Sequence, residues 1–381
     1  MRVLFHVQHL LGVGHLRRGE LITSALARRG IDVTVALGGH PVPQMPFADA
    51  EVVQLPPVSI EGADFKHLYD ETGAPITDEW RAMRTAALID LYEKVQPDVV
   101  LLEMFPFGRW RFRFELVPLL ERAAEDKPRV KCVTSVRDIL VATKHPERAR
   151  FGADLAREHL DAVLVHSDPT LFTFDETYPH AGELADLVTY TGYVTEGAAR
   201  ERGEPNDRVV VSAGGGAAAG TLMKTALAAR ELTPPAIRDK VWHILTGPRA
   251  DAAEFARLSA LADERTIVER FSSRFQALLD GAALSVSQAG YNTVMNLMRA
   301  EIPAVVVPYD DGEETEQSFR SRRMETMGLL SVVESTALTP QTLANAITAA
   351  YERRREDRAA IDLEGAETSA MEIEKLVGER S

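Results

Sequence analysis

Cysteine is almost missing from this chain, with Cys132 alone among 381 residues. That excludes an intramolecular disulfide and any cluster of cysteine metal ligands, and it points to a reducing cytoplasm. Long apolar runs are missing too. The run that follows Met1-Arg2 is far too short for a signal peptide or a membrane span, and no other stretch is long enough to cross a bilayer. Nor is there a surplus of positive charge. Lys and Arg number 43 against 57 Asp and Glu, and the net charge of -14 argues against a general nucleic-acid binder. Low-complexity tracts and short-period repeats are absent. The remaining composition, 45% hydrophobic and 26% charged, is that of a globular protein with room for about two domains.

What the chain does have is alternation. Hydrophobic runs and helical patterns follow one another from end to end, the signature of parallel α/β architecture. The first set of strands is predicted at 3–7, 33–37, 52–55, 99–103, 130–136 and 162–166, closed by 190–194. A charged stretch with Gly203, Pro205 and Asn206 reads as a linker, and a second set follows at 209–212, 241–245, 266–268, 284–286, 304–307 and 331–333. The expectation is an α/β protein with two doubly wound, Rossmann-like domains facing across a cleft, spanning 1–195 and 196–360. The tail after Thr339 reads as two helices, with 361–381 packing back on the first domain.

In open α/β sheets, ligands bind beyond the carboxyl ends of the strands, where glycines let a substrate approach the backbone. The turn Gly12-Val13-Gly14-His15 follows the first strand and opens an amphipathic helix. A neutral imidazole there can accept a proton at physiological pH, so His15 reads as a base, or more plainly as a polar helix-start residue. Glu103 and Asp138 stand at the ends of two further strands, and either could orient His15 and support its cationic form. Arg109 and Arg137, in the same loops, could meet an anionic acceptor or pair within the loops. The run Phe107-Gly108-Arg109-Trp110-Arg111-Phe112-Arg113-Phe114 interleaves arginines with aromatics, as membrane-interface segments and nucleic-acid patches do. However, Trp110, Phe114 and Val117 share one helical face, so packing on the sheet accounts for them.

The second domain opens in a similar way, on Val209-Val210-Val211-Ser212-Ala213-Gly214-Gly215-Gly216. Small residues there leave N–H groups uncovered at a helix start, where a phosphate is attracted. Gly214, Gly216 and Ala219 also satisfy a dinucleotide fingerprint, but the next strand ends Ile244-Leu245-Thr246-Gly247-Pro248 without the acidic residue that would hold a ribose. A diphosphate of another nucleotide fits better. A second such loop, Ser287-Gln288-Ala289-Gly290-Tyr291-Asn292-Thr293, also leads into a helix, and two helix starts could share one diphosphate without a metal. No His/Asp/Glu spacing suits a divalent ion, and the acidic turn Asp310-Asp311-Gly312-Glu313-Glu314 reads as a solvated loop. Glu316 and Gln317 then bring a carboxylate and an amide, the groups that sugar hydroxyls need.

Together, Ser287-Gln288-Ala289-Gly290, Thr293, Ile302-Pro303-Ala304, Pro308 and Glu316-Gln317 resemble the C-terminal donor-binding domain of glycosyltransferase family 28. That family includes the N-acetylglucosaminyltransferase that completes the lipid-linked peptidoglycan precursor, and its fold is the two-domain GT-B type. The resemblance implies that Gly214, Gly215, Gly216 and Gly290 to Thr293, Asn292 among them, hold a diphosphate, and that Gln288 belongs to the same donor and nucleotide site. It places Phe271 beside the base and gives Glu316 and Gln317 the donor sugar. Asn296 stands where the family usually has a ribose-binding glutamate. The opening Gly12-Val13-Gly14-His15-Leu16-Arg17-Arg18 is similar instead to the nucleotide-sugar hydrolase of pseudaminic acid synthesis, in which a matching histidine activates water.

The expected activity is metal-independent, inverting transfer from a nucleotide diphosphate sugar, UDP foremost, to an acceptor hydroxyl, with no cofactor. The donor belongs to the second domain and the acceptor to the first, around Gly12, Gly14, His15, Arg109 and Arg137. A lipid-linked acceptor would put this cytoplasmic protein at the inner face of the membrane. The alternatives are a nucleotide-sugar hydrolase or epimerase of the same fold, or a nucleotide-sugar-binding subunit that acts through a partner.

Overall fold

The computed structural model describes residues 1–10, 14–42, 47–60, 67–140, 145–196, 206–212, 219–247, 250–272, 274–309, 316–353 and 360–378. The chain divides into two compact units, Met1–Gly197 with Ile361–Ser381, and Ala198–Ala360.

The first unit runs β1 (Arg2–Val7), α1 (Gly14–Arg28), β2 (Asp32–Leu37), β3 (Glu51–Gln54), α2 (Asp78–Val95), β4 (Val99–Glu103), α3 (Arg113–Glu125), β5 (Lys131–Arg137), α4 (Pro146–His159), β6 (Ala162–His166) and β7 (Val188–Tyr190). Its sheet has the order β3-β2-β1-β4-β5-β6-β7, and every neighbouring pair is parallel. Both faces of β1 are buried, as a parallel sheet requires. Val3, Phe5 and Val7 pack with Leu16, Ile22 and Leu26 of α1, whereas Leu4 faces Leu102, Leu116 and Leu119. The helix α2 starts on Thr77, whose hydroxyl accepts the Trp80 N–H, and stops at Gln96 in the left-handed region.

The second unit runs β8 (Arg208–Ser212), α5 (Ala219–Arg230), α6 (Pro235–Arg238), β9 (Val241–Leu245), α7 (Ala252–Ser259), β10 (Thr266–Glu269), α8 (Phe275–Leu279), β11 (Leu284–Gln288), α9 (Tyr291–Ala300), β12 (Ala304–Val307), α10 (Glu316–Thr326), β13 (Ser331–Val332) and α11 (Pro340–Glu352). Its parallel sheet has the order β10-β9-β8-β11-β12-β13. In each sheet the strand order reverses beside the unit's first strand, at β1–β4 and at β8–β11. These are the places where connections diverge and leave a crevice beyond the strand ends.

The last helix, α12 (Gly365–Gly378), belongs to the first unit. Ala370 and Ile373 join the core under α1, and Arg28 and Arg29 of α1 pair with Glu367 and Glu374. The returning chain enters along residues 192–195, where the Tyr193 N–H donates to the Asp362 carbonyl at 2.8 Å and the Gly365 N–H to the Tyr193 carbonyl at 3.0 Å. A Cβ at residue 365 would lie 2.3 Å from the Gly192 carbonyl oxygen, so this crossing demands glycine. The same crossing corrects the strand expected at 190–194. Pairing ends at Tyr190, because Gly192 turns into the left-handed region at φ 78° and Tyr193 bonds the returning segment instead.

Candidate active site

The switch point of the first sheet gathers a charged cluster. His15 lies in the first turn of α1, just past β1, and Glu103 is the last residue of the neighbouring β4. His15 Nδ1 lies 2.5 Å from Glu103 Oε1. The carboxylate is fully buried, and two guanidiniums hold it. Arg18 Nη2 donates to the same Oε1, and Arg109 Nε donates to Oε2 at 3.1 Å. Arg18 is buried and sits one turn beyond His15, so one helix face presents both to the carboxylate. Arg109 reaches back from a loop in which it and Met104 both occupy the left-handed region, at φ 59° and 66°. Such backbone is costly for residues other than glycine and persists only where surrounding contacts enforce it.

This environment sets the protonation states. Burial alone would raise the Glu103 pKa, but His15, Arg109 and Arg18 outweigh it and hold the carboxyl well below the usual range. Burial pulls the His15 imidazole down to about 4, with Glu103 opposing that shift and Arg109 adding to it. At neutral pH the pair is therefore a neutral imidazole donating Nδ1–H to a carboxylate, which leaves the Nε2 lone pair available as a proton acceptor. Of the two acids expected to orient the ring, Glu103 is the one bonded to it. Asp138 is buried beyond β5, with its Oδ1 accepting the Ile139 N–H at 2.9 Å. Arg137 is the last residue of β5, paired in register with His166. Gly14 begins α1, and Gly12 lies outside the described residues.

A second, fully buried ion pair braces the same strand ends. Arg84 Nε donates to Glu115 Oε2 at 2.6 Å, its Nη2 to Gln8 Oε1 at 2.6 Å, and its Nη1 to the carbonyls of Gly38 and Pro56 at 2.9 and 2.7 Å. It thereby ties the chain leaving β1 to the chain leaving β2. A Cβ at residue 38 would fall 2.0 Å from Gln8 Oε1, which explains the glycine. Sequence reading missed both Arg18 and Arg84. The spacing of three from His15 was a usable signal for Arg18, but Arg84 belongs to no motif.

In the second unit, Gly214, Gly215 and Gly216 and the acidic turn 310–314 lie outside the described residues. The strand ends beside them are described. Ser212 of β8 and Ser287 of β11 are register partners at the switch point, both buried, and both hydroxyls lack a hydrogen-bond partner among the described residues. By contrast, the Ser285 hydroxyl two residues earlier donates to the Val210 carbonyl at 3.2 Å. A buried hydroxyl without a partner costs roughly 1–3 kcal/mol, and such atoms point to a ligand or an ordered water. Gln288 ends β11, Gly290 caps α9 with extended backbone, and Asn292 and Thr293 follow in the first turn of that helix. Among the described residues no group of three His, Cys, Asp or Glu could hold a metal ion.

The other donor-side residues are placed less directly. Asn296 lies one turn further along α9, with its carbonyl accepting from Gln276 Nε2 at 3.3 Å. Phe271 is 62% exposed, so an aromatic face is presented rather than packed. Glu316 begins α10 and its Oε1 accepts from the buried Arg320 at 2.5 Å, while Arg320 stacks over Tyr291 of α9 at 5.1 Å. Gln317 Oε1 accepts the Tyr309 N–H at 3.2 Å. The Phe107–Phe114 run also divides differently from its helical pattern. Phe114 and Val117 pack on the core, whereas Trp110 stands apart, edge-on to Phe151 at 4.8 Å and flanked by the guanidiniums of Arg113 and Arg148.

Residues 209–376 match the model of the glycosyltransferase family 28 C-terminal domain. Solved structures align over nearly the whole chain. The calicheamicin glycosyltransferase CalG4 has a TM-score of 0.62 at 17% identity, covering 100% of this chain and 99% of its own. A UDP-glucosyltransferase from Polygonum tinctorium, in complex with 3,4-dichloroaniline, gives 0.63 at 12% identity, covering 100% and 99%. MurG of Acinetobacter baumannii gives 0.58 at 15% identity, covering 99% of each chain. Among curated proteins no sequence matches significantly. The two parallel sheets thus have the GT-B fold, and the family 28 match covers most of the second unit and continues into α12 of the first. The protein is a glycosyltransferase.

Proposed function

We propose that the protein transfers a sugar from a nucleotide diphosphate sugar to an acceptor hydroxyl with inversion, His15 being the general base. One observation carries this reading. At the switch point of the first sheet, a neutral imidazole is bonded through Nδ1 to a carboxylate that two arginines keep ionised, so Nε2 is left to take a proton. As the hydroxyl oxygen forms its bond to the anomeric carbon, its proton passes to Nε2 and the bond from that carbon to the diphosphate breaks. The electron pair leaves with the nucleoside diphosphate. Glu103 supports the imidazolium that forms, a carboxylate behind the ring being worth much of the base's contribution.

The second unit would take the donor. The start of α9 and the orphaned hydroxyls of Ser212 and Ser287 supply donors for a diphosphate, as helix N-termini do elsewhere. UDP is the first nucleotide to test, and no metal is needed in this scheme. No described helix is long and apolar enough to cross a membrane, so a lipid-linked acceptor would have to be met at the surface. The test is to incubate purified protein with a labelled UDP-sugar, with and without a cell extract. Slow release of nucleotide alone, and acceptor-dependent movement of label into a larger product, would support transfer. Rapid acceptor-independent cleavage to free sugar would overturn it in favour of hydrolysis.

A further inference from the structure

Within the first unit, residues 106–110, Leu140, the start of α4 and residues 177–179 line an open cavity of about 550 Å³, which includes the Arg109 that bonds Glu103. Its walls are mostly aromatic and apolar, among them Phe107, Trp110, Leu140 and Tyr178. The aromatic walls are rigidly set. Phe107 meets Tyr178 edge-on at 4.9 Å, and the Tyr178 hydroxyl donates to the Ala149 carbonyl at 2.5 Å. Two cations also line the cavity, Arg109 and Arg148, and among the described residues lining it there is no carboxylate. Arg109 gives Nε to Glu103, and its Nη2 is buried without a partner among the described residues. Arg148 stacks over Trp110 at 5.5 Å and makes no ion pair with any described residue. The cavity therefore has apolar capacity and, at Arg148, a positive charge with no carboxylate partner among the described residues, while Arg109 joins it to the carboxylate behind His15.

We infer that this cavity holds the acceptor, and that the acceptor is a flat, apolar ring compound bearing a carboxylate. Its ring lies against Phe107, Trp110 and Tyr178, and its carboxylate is taken by Arg148. The inference rests on the transferase reading and adds the acceptor's class to it. The volume lies in the range of pockets that bury a compact organic molecule. Fixed aromatic walls favour rings in offset or edge contact over a flexible chain, and a guanidinium pairs well with a carboxylate in an apolar setting.

Calorimetric binding of three probes without any donor tests it: 6-hydroxy-2-naphthoate, 2-naphthol and laurate. The naphthoate should bind about tenfold more tightly than the naphthol, with laurate weaker than the naphthoate. Arg148→Gln should remove most of the naphthoate's advantage and leave naphthol binding unchanged, with an unaltered melting temperature showing that the variant is folded. Equal binding of naphthoate and naphthol, laurate binding as tight as the naphthoate, an advantage that survives Arg148→Gln, or no saturable binding would each overturn the assignment. Because no sugar is transferred in this measurement, a failed transfer assay with intact probe binding would fault the transferase reading and leave the cavity assignment standing.

Discussion

His15 and Glu103 lie 88 positions apart in the chain, and their side chains meet at 2.5 Å where the order of the first sheet reverses. The helix after β1 delivers one and the end of β4 delivers the other. Two arginines close on the carboxylate, so the acid is committed to orienting the base rather than to chemistry of its own.

His15→Ala is expected to cut turnover roughly a hundredfold or more, the usual contribution of a positioned general base. Nucleotide binding should hardly change, since the residues proposed to hold the diphosphate belong to the second unit. Steady-state rates and a separate nucleoside diphosphate titration read the two effects. Equal losses in both, or unchanged turnover, would show that His15 does not act as the base.

The acid limb of the rate profile should sit low. With the imidazole held down to about 4 rather than 6.5, kcat/KM should stay level through the ordinary histidine range and fall only as pH approaches the lower value. The same shift has a stability consequence with a defined sign. Between those two values the unfolded chain binds a proton at residue 15 and the folded chain does not, so this residue costs more stability as pH falls. His15→Ala should therefore lose less stability than wild type between about pH 6.5 and 4 in matched denaturant titrations. A kcat/KM midpoint near 6.5 would contradict the assigned environment.

Glu103→Gln should be costly in two ways. Removing the charge leaves Arg18 and Arg109 beside a neutral amide in a buried site, and breaking a buried pair on one side typically costs about 3 kcal/mol. A lower denaturant midpoint at constant slope would register this. Turnover should fall as well, because the imidazolium loses its counter-charge. A fully active, equally stable variant would mean that the cluster is ornamental.

Ser212 and Ser287 separate ligand binding from packing. Their hydroxyls have no partner among the described residues, so Ser212→Ala and Ser287→Ala should leave the free protein as stable as before or slightly more so. Both should nevertheless reduce the thermal stabilisation given by UDP, which follows the ligand's affinity for the folded state. The wild-type shift should be as large in EDTA as in magnesium. Stability losses without a change in the UDP shift would make the hydroxyls structural.

Much of this was written locally in the chain. Apolar runs buried on both faces, each followed by a helical period, set the parallel sheets, because such strands have no solvent face to alternate toward. The glycine-rich turns before α1 and α9 marked where helix starts meet strand ends, and Ser287 to Gln317 carried the family resemblance. The end of β4 is legible as well, which makes Glu103 a candidate from the sequence alone. Its preference over Asp138 is not. Both acids end or follow a strand, and only the sheet order, with β4 beside β1 and β5 one place further, decides which carboxylate His15 can reach. Strand order comes from how crossovers pack and leaves no trace in local pattern. Arg18 becomes part of the site only because the buried face of α1 turns it toward that carboxylate. Arg84 and Trp110 show the same limit. One looks like an ordinary helix arginine and the other like a core aromatic, until folding places the first among buried strand ends and the second on the wall of a cavity.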